Sequence, residues 1–282
     1  MPDRFLLPLL RGCGQMLFQP SARTGAVFLV LILSQSAGAF LMCLAGAAGA
    51  TACGYLMERP GARYLEGESG FNGGLLGLLL SQVYEPGALM LVAGLAGGFA
   101  TGLVRVALLR ILPAPPFTAP FVVVAWLAFY LGGGPPAAAG SDGGSLSGGF
   151  LDGLLANAAQ VLFMPGPWIG ALVVLAVWLH SRRAATWVGA ASLVAGLSAA
   201  LFGLPGDLAA SGLLGYNALI LAAALQHRGT RLLLFVAGVA GSVWLSYLFI
   251  RAGVMPLSAP FVATAWLVIA AEAALARRSA SV

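Results

Sequence analysis

Two amides, their partner aromatics and two hydroxyls recur at matched positions along this chain. Gln15-Met16-Leu17-Phe18 is echoed by Gln160-Val161-Leu162-Phe163, and Gly70-Phe71-Asn72-Gly73-Gly74-Leu75 by Gly215-Tyr216-Asn217-Ala218-Leu219-Ile220. Each Gln precedes its Asn by 57 residues. A third pair closes each half: Phe117-Thr118-Ala119-Pro120-Phe121-Val122 and Leu257-Ser258-Ala259-Pro260-Phe261-Val262. The repeated groups are neutral. Amides and hydroxyls both donate and accept hydrogen bonds. Such a set suits the handling of a neutral, polar, hydrogen-bonding solute rather than the making or breaking of bonds. One spacing found twice implies two copies of one structural unit, with polar groups at equivalent depths.

Each of these residues also has a plainer reading. A buried Gln serves as interhelical glue as readily as it lines a path; the symmetric pairing beside symmetric aromatics favours the path. Phe18 and Phe163 follow their glutamines by three residues, which predicts one shared helical face. Any single aromatic reads as core, but four at symmetric positions could form two flat slots. Proline fits the first turn of a helix, so Pro120 and Pro260 start the last run of each half. A break there frees carbonyls and exposes the Thr118 or Ser258 hydroxyl, and broken backbone at membrane depth is tolerated where it lines a cavity. Gly94, Gly97 and Gly98 read as close helix packing, and Glu58, Glu66, Glu68 and Glu85 as short loops of mixed charge. Glu272 reads as locally paired near Arg277, and His180 and His227 as interfacial.

Several function classes are excluded. There is no Walker-type loop, no GxSxG, no HExxH and no His cluster. Three cysteines, Cys13, Cys43 and Cys53, lack metal-ligand spacing and cannot make an even disulfide frame. The expectation is no metal, no cofactor and no enzyme. No row of buried acids suggests coupling to protons or sodium.

The elements that position these groups follow from composition. Of 282 residues 60% are hydrophobic and 8% charged, against about 25% charged in a soluble domain. So few charges cannot cover a soluble surface. Lipid offers backbone groups no partner, and helices satisfy their own. The expected fold is an all-α polytopic membrane protein. Five apolar runs fall at 24–41, 42–57, 69–83, 86–111 and 117–131, preceded by a short segment from Phe5 to Phe18. The first two divide near Gly38, and the third and fifth are short for a full span. A Gly-, Pro- and Ser-rich linker, Gly132–Gly149, follows. The pattern restarts with Phe150–Phe163 and runs at 168–180, 184–204, 210–226, 230–251 and 259–276.

Five crossings is an odd number, so the second half enters from the opposite side. Residues 1–140 and 141–282 are then inverted repeats of five transmembrane helices, each with a short pore-lining helix. Transporters built this way place the solute at the repeat interface. The net charge is +5 and every cation is Arg. The arginines stand at the ends of apolar runs, where they set orientation rather than bind nucleic acid. With both termini cytoplasmic, 13 of the 14 fall inside and Arg251 alone outside.

Taken together, these motifs resemble those of the urea transporter family. The resemblance is carried by Arg11-Gly12-Cys13-Gly14-Gln15-Met16-Leu17-Phe18-Gln19 with Thr24-Gly25, by Gly70-Phe71-Asn72-Gly73, and by Pro116-Phe117-Thr118-Ala119-Pro120-Phe121. The family hallmark resembles Leu-Pro-x-x-Thr-x-Pro-Phe. The chain departs from it: the first copy reads Ala114-Pro115-Pro116-Phe117-Thr118-Ala119-Pro120-Phe121, the second has Met255 for the Pro and Ser258 for the Thr, and the second Gln motif reads Leu155-Ala156-Asn157-Ala158-Ala159-Gln160. The resemblance implies passive, channel-like urea transport through each protomer of a homotrimer in the cell membrane. It implies amide sites at Gln15 and Gln160, and slots of Phe18, Phe71 and Leu75 in one half and Phe163, Tyr216 and Ile220 in the other. Thr118 and Ser258 would line the constriction. Tyr216 makes the second slot the more polar. The alternative is a channel for another small neutral solute: a short amide, ammonia or water.

Overall fold

The computed structural model describes residues 3–58, 61–131 and 149–280. The linker expected over 132–149, Gly149 apart, and the expected boundary between residues 140 and 141 lie outside them. The described residues form fourteen α-helices and no strand.

Five helices are long and apolar enough to cross a membrane: α3 (Ala37–Met57), α6 (Ala88–Ile111), α10 (Arg182–Leu201), α13 (Leu232–Arg251) and α14 (Ala259–Ala280). A pair, α1 (Asp3–Gly14) and α2 (Ala22–Gln35), passes the same test jointly but is bent by 75°. Four more helices are apolar but short: α5 (Phe71–Val83), α7 (Ala119–Leu131), α9 (Pro167–His180) and α12 (Tyr216–Leu225). The ten apolar runs of the sequence are thus ten helices, but only five have the length of a full span. A helix of fourteen residues rises about 21 Å, less than the roughly 30 Å of the hydrocarbon core. The remaining elements are α4 (Ala62–Leu65), α8 (Phe150–Gln160) and α11 (Gly206–Ala210).

The described chain forms two compact units. One holds the residues up to 131 together with Leu162–Met164; the other holds the remaining residues from 149 on. In the first, α3 packs against both α5 and α6. The contact is backbone on backbone, because a Cβ at Gly46 would lie 2.0 Å from the Gly73 oxygen, and one at Gly98 would lie 2.1 Å from the Gly46 oxygen. In the second, α12 packs against α10, α13 and α14.

The same local devices occur in both units. Ser36 ends α2 in extended backbone and caps α3, its hydroxyl accepting from Ala39 N at 3.1 Å. Ser181 does this between α9 and α10, accepting from Ala184 N at 3.1 Å. A serine in this position satisfies one orphan N–H of the new helix. The divide between the first two runs therefore falls at Ser36, two residues before Gly38. Gly67 and Gly212 both hold φ of 82°, a left-handed conformation that glycine adopts without strain.

Candidate solute-binding sites

Four non-glycine residues have positive φ among the described residues, and they form two pairs: Phe18 (54°) with Phe163 (55°), and Phe117 (49°) with Leu257 (46°). Such a conformation costs about 1–3 kcal/mol per residue and persists only where the surroundings impose it. The surroundings are visible at the second pair. The Asn72 amide donates to the Phe117 carbonyl at 3.1 Å, and its oxygen accepts from Phe121 N at 3.1 Å. Asn217 donates to the Leu257 carbonyl at 3.2 Å and accepts from Phe261 N at 3.3 Å. Each Asn is fully buried in a short helix and clips the break before the next helix. Prolines 120 and 260 occupy the second position of α7 and α14, where no N–H is needed.

Between the left-handed residue and the proline helix stands the hydroxyl. Thr118 and Ser258 are both buried, and neither hydroxyl has a hydrogen-bond partner. Leaving such a group without a partner costs about 1–3 kcal/mol. The carbonyls next to them, which the sequence reading leaves free, are the ones held by the asparagines.

The glutamines match in the same way. Gln15 Nε2 donates to the Glu66 carbonyl at 3.1 Å, and Gln160 Nε2 donates to the Ser211 carbonyl at 3.0 Å. Because a carbonyl can only accept, each amide must present its nitrogen there, and its oxygen is left to accept elsewhere. The expected shared helical face of Gln and Phe is not found. Gln15–Leu17 form a 3₁₀ turn, and Phe18 then turns left-handed. Gln160 ends α8, and Phe163 turns left-handed after it. The helix stops between amide and ring, so the spacing reflects a turn.

In the first unit the ring of Phe18 meets Phe71 at 5.8 Å and 61°, and Phe117 at 5.8 Å and 88°. These are edge-to-face contacts, the favoured arrangement for aromatic pairs, and not the parallel walls of a flat slot. A cavity of about 150 Å³ opens here, lined by Gln15, Phe18 and Phe71, by Pro115–Phe117, and by Glu68 and Arg105. Leu75, one turn along α5 from Phe71, and Thr118 are buried outside its lining. Phe163 belongs to the first unit, where its ring meets Phe121 at 6.3 Å.

In the second unit the Tyr216 hydroxyl donates to the Leu257 carbonyl. It is therefore engaged in holding the break and adds no free polarity to that half. Ile220 lies one turn further along α12 and is buried.

A model of the urea transporter family matches residues 6–273, nearly the whole chain. The chain belongs to the urea transporter family. Urea transport across membranes is what that family implies. No individual curated protein matches the chain.

The second unit of this transporter also holds a larger cavity, about 230 Å³, between α8, α10 and the connection 204–215. It is not a site for a polar solute. Its walls are mostly Gly, Ala and Leu, and its one amide, Asn157, already donates to Ser192 Oγ at 2.9 Å. Gln160, Tyr216, Ile220 and Ser258 are absent from its lining.

One cation at the transporter's first cavity departs from the expectation drawn from the sequence. Arg105 is 2% exposed inside α6 and is not a loop cation. Its guanidinium pairs with Glu58, and with Glu68 Oε2 at 2.8 Å. The signal was present: an Arg well inside an apolar run, following a loop with several acids. The roles of Asn72 and Asn217 as backbone clips were missed as well, because their partners lie about forty to fifty residues away. Among the described residues no group of three or more His, Cys, Asp or Glu is placed to hold a metal ion.

Proposed function

We propose that the chain conducts urea passively, down its gradient, along a path in each protomer lined by the repeated polar and aromatic groups. The observation that carries this is the matched pair of buried, unpartnered hydroxyls, Thr118 and Ser258. Urea is planar and uncharged, with four N–H donors and one acceptor. Stripping its water is costly unless the donors meet acceptors. The hydroxyls and the oxygens of Gln15 and Gln160 supply acceptors, and Phe18, Phe71 and Leu75 in one half, with Phe163, Tyr216 and Ile220 in the other, supply apolar walls for a planar molecule. No group in this set stores or couples energy.

We take residues 1–140 and 141–282 as inverted repeats of five crossings each, with both termini cytoplasmic. The bias of the exposed arginines supports this orientation, although Arg105, buried and ion-paired, drops out of that count. The family resemblance supports a homotrimer in the cell membrane.

The test uses Thr118→Val and Ser258→Ala. A buried hydroxyl without a protein partner burdens the fold, so its removal should leave thermal stability in detergent equal or higher. Urea passing that point loses an acceptor worth about 1–3 kcal/mol, so flux through liposomes should fall roughly 5- to 150-fold. Stability gained with flux unchanged would place both hydroxyls off the path.

A further inference from the structure

Arg105 and Glu68 face the same cavity as Gln15 and Phe18. Two carboxylates, Glu58 and Glu68, share one guanidinium, which leaves one negative charge in excess. Glu58 is the inner partner, its side chain 16% exposed, and it also accepts from Ser69 Oγ at 3.2 Å. Glu68 is the outer partner, its side chain 36% exposed. Only its Oε2 is held by Arg105, so Oε1 remains as an acceptor on a carboxylate whose position is fixed. The matching connection of the second unit, residues 202–215, carries Asp207 as its one charged residue.

We propose that Glu68, clamped by Arg105, forms an acceptor subsite at the first-unit cavity that takes planar N–H donors, and planar N–H cations most tightly. This rests on the urea reading of that cavity and names the ligand class at its charged edge. A guanidinium ion has the shape of urea and a full positive charge. It can bond the free edge of the Glu68 carboxylate while its face lies against the Phe18 or Phe71 ring. Charge-assisted hydrogen bonds are about twice as strong as neutral ones, and a cation over an aromatic face gains further attraction. The cavity thus distinguishes guanidinium from urea by charge alone, and holds the ion at the edge rather than passing it inward, where the repeated groups are neutral.

Equilibrium dialysis of radiolabelled guanidinium chloride against detergent-purified protein tests this without relying on flux. The parent should bind the ion saturably. Glu68→Gln, whose amide oxygen still accepts from Arg105, should bind it roughly tenfold more weakly. Glu68→Asp keeps the charge and should retain more binding than Glu68→Gln. Glu85→Gln, an exposed site on the α5–α6 connection, should bind like the parent and so separates a local effect from surface charge. Absent saturable binding, or equal binding by parent and Glu68→Gln, would overturn the proposal and leave the urea path untouched. Saturable binding lost in Glu68→Gln, but not displaced by urea, would sustain the subsite and count against the urea reading of the cavity.

Discussion

Gly46→Ala should yield almost no folded protein. The added Cβ would sit 2.0 Å from the Gly73 oxygen and 2.8 Å from its carbonyl carbon, both backbone atoms of α5. No rotamer change can relieve contacts between backbones. On its other side Gly46 lends its own oxygen to contacts with Gly73 and Gly98, where a Cβ would approach to 2.1 Å in each case. Moving α3 away from α5 therefore disturbs its fit to α6. Overpacking usually costs about 1–3 kcal/mol, with larger values where nothing can give, and this site belongs to the second kind. Total stability is only about 5–15 kcal/mol. Gly87→Ala is the control, since nothing lies within 4 Å of its added Cβ. Yield and thermal unfolding in detergent would decide, and a Gly46→Ala protein that melts like the parent would show that α3 and α5 can separate freely.

Asn72→Leu should remove most urea flux per folded molecule, at least tenfold, and should lower stability by about 1–3 kcal/mol, since each of two buried hydrogen bonds is worth about 0.5–1.5 kcal/mol. The amide bonds the Phe117 carbonyl and the Phe121 N–H together. Without it the left-handed Phe117 has lost a main restraint, and relaxation there moves Thr118, the next residue. Asn217→Leu should leave its break better held, while also removing the bond that the Asn217 amide donates to Ser246 Oγ at 3.1 Å. The Leu257 carbonyl keeps the Tyr216 hydroxyl as a donor, whereas Phe71, at the matching place, has no hydroxyl to offer Phe117. Adding Tyr216→Phe to Asn217→Leu should then bring the second unit to the severity of the first. Liposome flux normalised to folded protein, with thermal unfolding alongside, checks the order. An Asn217→Leu flux as low as that of Asn72→Leu would deny the Tyr216 hydroxyl any role in holding the break.

The difference between the two units illustrates what a sequence can and cannot disclose. The helical runs were legible because apolar continuity is local, although the first divide, expected near Gly38, falls at Ser36. The pairing of the motifs was legible because matched spacing needs no geometry. What lay hidden depends on partners distant in the chain. The Gln–Phe step read as one helical face, yet a left-handed residue interrupts the helix at Phe18. Tyr216 read as added polarity, yet its hydroxyl belongs to the Leu257 carbonyl. Arg105 read as an orienting charge, yet two acids from the α3–α5 connection draw it into the protein. The aromatic rings read as flat walls, yet Phe18 meets Phe71 and Phe117 edge to face. In each case residue type was informative, and the direction of the group depends on local backbone conformation or on partners some forty to fifty residues away in the chain.

The measurement closest to the central claim is stopped-flow urea permeability of liposomes containing the purified protein, with urea imposed from either side and with or without a proton or sodium gradient. Passive conduction predicts a urea permeability well above that of empty liposomes, the same in kind for both directions, and indifferent to either ion gradient. Permeability no greater than that of empty liposomes, or urea accumulating against its gradient when an ion gradient is imposed, would contradict the account.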